Sequence, residues 1–125
     1  MKKILFILSI LTLVSCAKKE GCTDSAALNF DPDAEKENNS CSYRGNLQFW
    51  TSNNWGENIF VTVNGSTSLI TSYYSGVPSC DNSGCANFDL APGVFYYSAE
   101  TVSGSLIWSG SAEVTSNGCT NIKLQ

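Results

Sequence analysis

The chain contains no histidine, and after residue 45 it carries a single cation, Lys123. Without histidine, a serine or cysteine nucleophile lacks its usual base, and zinc lacks its commonest ligand. No glycine-rich loop leads into a helical period, so nothing supports a phosphate cradle. Apolar residues at helical spacing are missing from residues 46–125 altogether, which argues against helices there. Charge is sparse in that stretch, with Glu57, Asp81, Asp89, Glu100 and Glu113 beside Lys123. Its polarity comes instead from serine, threonine and asparagine, 29 of its 80 residues. The acids concentrate earlier, at Glu20, Asp24, Asp31, Asp33, Glu35 and Glu37, so the composition shifts near Gly45 and divides the chain there.

What is present begins with Met1-Lys2-Lys3 and an apolar run from Ile4 to Val14, broken only by Ser9 and Thr12. Eleven helical residues rise about 16 Å, against the ~30 Å of a bilayer core, which marks a signal segment rather than an anchor helix. Leu13-Val14-Ser15-Cys16 resembles the lipobox of bacterial lipoproteins. That resemblance implies removal of a signal peptide, residues 1–15, a diacylglycerol thioether on Cys16, and acylation of the new amino terminus. Residues 16–20 then form a lipidated tether. Each buried methylene contributes ~0.8 kcal/mol, so two or three chains hold a protein on a membrane durably. Ala17 gives no retention signal of the aspartate type, so the expected location is the cell envelope, at the outer membrane. Without Lys2 and Lys3, five basic residues face eleven acidic ones, which excludes nucleic acid as a partner.

Lipid on Cys16 leaves Cys22, Cys41, Cys80, Cys85 and Cys119, for which disulfides are the default in an exported protein. Zinc is not expected, since histidine is absent and Cys80 and Cys85 have no second close couple. Cys22 and Cys41 share the short first module, and closing a twenty-residue loop stabilises by ~3 kcal/mol in the loop-entropy description. Residues 21–45 predict two helical turns, capped by Asp24 and by Asp31 with Pro32 at the first position, and Leu28, Phe30 and Tyr43 packed on the disulfide. The acids lack EF-hand spacing and read as a solvated stalk, not a metal site. Gly21-Cys22-Thr23-Asp24, Asn29-Phe30, Pro32-Asp33-Ala34 and Ser40-Cys41-Ser42-Tyr43 closely resemble a cysteine-bounded repeat of exported Bacteroidota proteins. Ser25 stands where that repeat usually has proline, and Asn38-Asn39 where it has an acidic turn.

From Asn46 the apolar period becomes two, as in Ile59, Val61 and Val63, or Trp108, Gly110, Ala112 and Val114. Strands are expected near 46–51, 58–63, 67–74, 86–90, 94–101, 105–114 and 119–124, separated by turn signals such as Asn64-Gly65 and Asn117-Gly118. Seven short strands in residues 46–125 predict a mainly β chain with a small antiparallel β-sandwich. Ile59 to Gly65, Leu90 to Ala99 and the closing Ile122-Lys123-Leu124 resemble prealbumin-like sandwiches, including PEGA-type and carboxypeptidase-regulatory-like modules. Those relatives are mostly noncatalytic spacers, adhesion units or accessory domains.

If successive strands pair as hairpins, Cys80 bonds Cys85 and Cys119 is left over. A crossed topology would bring Cys119 to either one instead. Asp89 and Glu100 fall on adjacent expected strands, where two carboxylates suggest a glycosidase pair or, more simply, a solvated face. Trp108 is placed inward against Phe95 or Tyr97. Trp50, Phe60, Tyr74 and Tyr96 fall on outward parity, and Trp55 lies in a loop with Asn53, Asn54 and Asn58. Exposed rings beside amides suit glycan stacking or a protein interface. The expectation is therefore a noncatalytic, lipid-anchored surface module without cofactor, contacting an envelope protein or glycan. A structural envelope spacer and a glycan-binding accessory lipoprotein of a polysaccharide-uptake system are the alternatives.

Overall fold

The computed structural model describes residues 16–125. The expected signal peptide, residues 1–15, lies outside the described residues. Nine strands run in chain order: β1 (Glu20–Gly21), β2 (Lys36–Glu37), β3 (Gly45–Thr51), β4 (Ile59–Val63), β5 (Ser66–Ile70), β6 (Ala86–Leu90), β7 (Gly93–Thr101), β8 (Ile107–Val114) and β9 (Cys119–Leu124). The last seven form a sandwich of a three-stranded sheet, β6-β3-β9, and a four-stranded sheet, β5-β4-β7-β8. All seven expected strands are present, and within the sandwich every pairing is antiparallel except that of β3 with β9.

Alternation builds the core. Leu47, Phe49, Ala86, Phe88 and Leu124 from one sheet meet Ile59, Val61, Val63, Ile70, Ala99, Ala112 and Val114 from the other. The Phe49 ring meets Tyr97 edge-on at 4.8 Å and Phe88 at 5.9 Å, geometries that aromatic quadrupoles favour. Asn64 and Gly65 both adopt positive φ, which lets a two-residue turn join β4 to β5 with the twist of a sheet. Gly45 is required by close approach, because any side chain there would run into the Thr115 carbonyl. Trp108 faces inward as expected but sits half-buried at the core's rim, donating its indole N–H to the Gln125 carbonyl at 2.9 Å.

Residues 71–85 join β5 to β6 as a long strap across the outer face of the three-stranded sheet. Thr71 and Ser72 donate their amides to the Gly84 carbonyl, and Tyr74 donates to Thr51, so the strap is anchored where it leaves and where it returns. Gln48, fully enclosed, holds its middle: the amide group donates to the Ser79 carbonyl (3.0 Å) and Asn121 Oδ1 (2.7 Å), and Oε1 accepts the Asn82 N–H (2.8 Å). Trp50 shares that face and is buried, 5 % exposed, with Lys123 Nζ 5.4 Å from its ring centroid. Trp50 does point to the outer face of the sheet, alternating with the core residue Phe49, but the strap covers that face. Trp50 is therefore not a surface contact.

The strap also corrects the cysteine assignment. Cys80 bonds Cys119, not Cys85, which is a buried free thiol. Hairpin pairing does not place Cys119, because β9 lies parallel beside β3, with Cys119 in register with Asn46, and the strap carries Cys80 to that end of the sheet. Asp89 and Glu100 are likewise separated. Asp89 belongs to the three-stranded sheet and Glu100 to the four-stranded one, so they form no carboxylate pair.

In the stalk, Cys22 and Cys41 are bonded as expected. Residues 24–34 form isolated turns instead of helical ones: Asp24 accepts the Ala26 N–H and Asp31 the Asp33 N–H, each satisfying its own turn. Two-residue strands β1 and β2 pair in parallel, a feature too short to leave a sequence signal. Cys22 and Ala27 are buried, whereas Leu28 and Phe30 are exposed, because a module this small has no room beneath the disulfide for two large side chains. Tyr43 is half-buried and donates its hydroxyl to Asp24 at 2.7 Å.

Candidate functional site

The strand β3 starts at the stalk and ends at Thr51, about 20 Å away at ~3.3 Å per residue. The stalk is attached at the near end, where Tyr43 donates its amide to Ser116 Oγ and Asn117 donates to the Arg44 carbonyl. At the far end, residues 53–58 and the start of the strap enclose a cleft of about 470 Å³. Such volumes are typical of small-ligand sites, ~300–1,000 Å³.

Local turns shape one wall. Thr51 Oγ1 accepts the Asn53 N–H and Asn54 Oδ1 accepts the Gly56 N–H, reversing the chain so that Trp55 faces the cleft lining. Glu57 fastens this loop to its neighbour: its two oxygens accept the Ser103 hydroxyl and amide, both at 2.8 Å. Those bonds, the hydroxyl first, hold the Glu57 carboxyl below the usual range, so it stays ionised and occupied. Thr71, Ser72 and Tyr73 form the opposite wall, and Ile59 and Ile70, both buried, form the floor. Tyr73 is 56 % exposed, and the side-chain amides of Asn53 and Asn58 have no hydrogen-bond partner among the described residues.

Two indoles meet behind the cleft, Trp55 and Trp108, with ring centroids 6.2 Å apart. The Trp108 N–H has its acceptor in Gln125, but the Trp55 N–H is enclosed with none. A buried donor without a partner costs about 1–3 kcal/mol. The nitrogen is covered by the chain's own atoms, so no group in the cleft reaches it in this arrangement.

Of the residues expected to make contact, only Trp55 lines the cleft. Trp50 is under the strap, and Tyr74, half-buried within it, donates its hydroxyl to Asn82 Oδ1 at 2.6 Å. Phe60 and Tyr96 stand on the outer face of the four-stranded sheet, in different cross-strand rows. The five rings thus form no single surface. Tyr73 and the hydroxyls beside it were missed because the expected strand 67–74 ends at Ile70, so alternation no longer predicts which way residues 73 and 74 point. The signal available was the Ser-Tyr-Tyr-Ser-Gly composition of a loop, residues 72–76.

In the stalk, Cys22, Glu37 and Cys41 bring their ligand atoms within 4.8 Å of one another, but both sulfurs are consumed by the disulfide. Glu37 is occupied by the amide and hydroxyl of Thr23 and the amide of Asn39. Cys16 is exposed and unpaired. No protein-family model, curated protein or solved structure matches the chain.

Proposed function

We propose that this protein is a lipid-anchored, noncatalytic binding module of the bacterial cell envelope, held by Cys16 and making its contact through the far-end cleft. The cleft carries the proposal: a small-ligand volume at the end of the sandwich opposite the stalk, lined by a tryptophan, a tyrosine and unpaired amides. A stalk that attaches at the other end leaves that opening unobstructed by its own tether. Resemblance to the lipobox supports the anchor and an outer-membrane location. The Bacteroidota-type cysteine repeat and the prealbumin-like strand pattern support a surface module over an enzyme. So does the chemistry, with no histidine in the chain and Glu57 tied to Ser103. The partner in this reading is an envelope glycan or protein. In cells fed radioactive palmitate, the wild type should be labelled and Cys16→Ser should be neither labelled nor cleaved before residue 16. Labelling that persists in Cys16→Ser refutes the anchor. If Tyr73→Ala and Asn58→Ala leave all envelope binding unchanged, the cleft is not the contact.

A further inference from the structure

We infer that the cleft takes a neutral saccharide, an uncharged ligand rich in hydroxyls. This inference rests on the binding-module reading and narrows it to one ligand class. The lining is the first ground. Thr71, Ser72, Asn53 and Asn58, all exposed, offer hydroxyls and amides that both donate and accept, which is the complement of a sugar hydroxyl. Cations are missing from it. A uronate, sulfate or phosphate needs arginine or lysine forks, and the only cation in the sandwich, Lys123, lies outside the cleft lining with its Nζ 5.4 Å from the Trp50 ring centroid. The one ionised residue at the cleft is the Glu57 carboxylate, which repels an anion.

The second ground is the exposed Tyr73 ring, which offers a flat apolar surface to the C–H face of a pyranose. A peptide partner is less well served. Peptides are commonly held by a free strand edge or an apolar groove, and the apolar lining of this cleft beyond Trp55 and Tyr73 is the buried pair Ile59 and Ile70.

The test uses the mature lipoprotein in detergent micelles against an array of cello-, xylo-, manno- and malto-hexaose, oligogalacturonate and heparin-derived oligosaccharides, followed by calorimetry. Binding should be confined to neutral hexaoses and change less than twofold between 50 and 500 mM salt, roughly the range over which ionic contacts are screened. Tyr73→Ala and Asn58→Ala should each weaken it about tenfold or more. Preference for the acidic oligosaccharides, or capture of an envelope protein with no glycan bound, overturns the saccharide inference and leaves the binding module standing. Neutral binding indifferent to both substitutions overturns the cleft assignment, and with it both readings.

Discussion

Replacing Gln48 by leucine tests how the strap is held. The side chain is fully enclosed and makes three hydrogen bonds, to Ser79, Asn121 and Asn82. At about 1 kcal/mol net each, their loss removes about 3 kcal/mol. Ser79 and Asn121 are exposed and can turn to water, but the half-buried Asn82 amide keeps part of its desolvation cost. Leucine returns about 1 kcal/mol through added apolar burial. The net expectation is a loss of about 2–4 kcal/mol, which at a slope near 1 kcal/mol/M moves the urea midpoint down by about 2 M or more. The loss should also be local. Amides of residues 74–84 should exchange faster, and acrylamide should reach Trp50, while the β4, β7 and β8 amides keep their protection. A loss below about 0.5 kcal/mol with Trp50 still shielded would mean that the Cys80–Cys119 disulfide and the backbone bonds of Thr71, Ser72 and Tyr74 hold the strap without Gln48.

The remaining expectations concern the disulfides, the two tryptophans and the stalk acids. A nonreducing peptide map should link Cys80 to Cys119 and leave Cys85 unlinked. Burial pushes the Cys85 thiol up, so it should resist alkylation until the chain unfolds. Replacing Cys80 and Cys119 together by serine opens a 39-residue separation and should cost about 4 kcal/mol in a denaturant melt, by the loop-entropy relation. Trp50→Ala, which empties a buried site, should cost about 3 kcal/mol or more. Trp108→Ala, at a half-buried rim, should cost about as much or less, and the reverse ranking would show that the strap does not seal Trp50. The Tyr43 hydroxyl beside Asp24, Lys19 beside Asp31 and the Thr23 amide beside Glu37 hold these carboxyls below their ordinary values. Depressed folded values give a contribution present above the ordinary carboxylate range, ~4, and lost as pH falls through the lowered ones. Carboxyl NMR titration should find all three below that range, and an ordinary value at Glu37 would remove it as a stalk clasp.

Strand identity was legible because alternation is a local property. Ile59, Val61 and Val63 face the core for the same reason they read as a strand, and Asn64-Gly65 names its own turn. Sheet order is not local, and nothing in β9 states that it will lie parallel to β3 across seventy residues. The Cys80–Cys85 assignment and the expected adjacency of the Asp89 and Glu100 strands both follow from that one gap, since each takes neighbours in sequence to be neighbours in a sheet.

Trp50 shows a different limit, and the cleft follows from it. Parity can place a side chain on the outer face of a sheet, yet it cannot say whether a loop will cover that face. The strap reads as polar, with serines, Gly76 and Pro78, and segments of that composition ordinarily run through solvent. Here Gln48 gives it polar partners inside, so a serine-rich segment can lie flat on the sheet without stranding its backbone groups. Fifteen residues are long for a connection without strands of its own, and loops of that length tend to be functional or disordered. This one is fastened by three elements at once: Gln48, the disulfide, and the amides of Thr71, Ser72 and Tyr74. The fastening matters most at its first three residues. Thr71, Ser72 and Tyr73 are the cleft wall, so whatever fixes the strap also fixes the distance between Tyr73 and Trp55. A wall set in advance spares a ligand the cost of ordering it. Binding measured in the Gln48→Leu protein should therefore weaken although Gln48 touches no part of the cleft, and should weaken most for whichever ligand spans both walls.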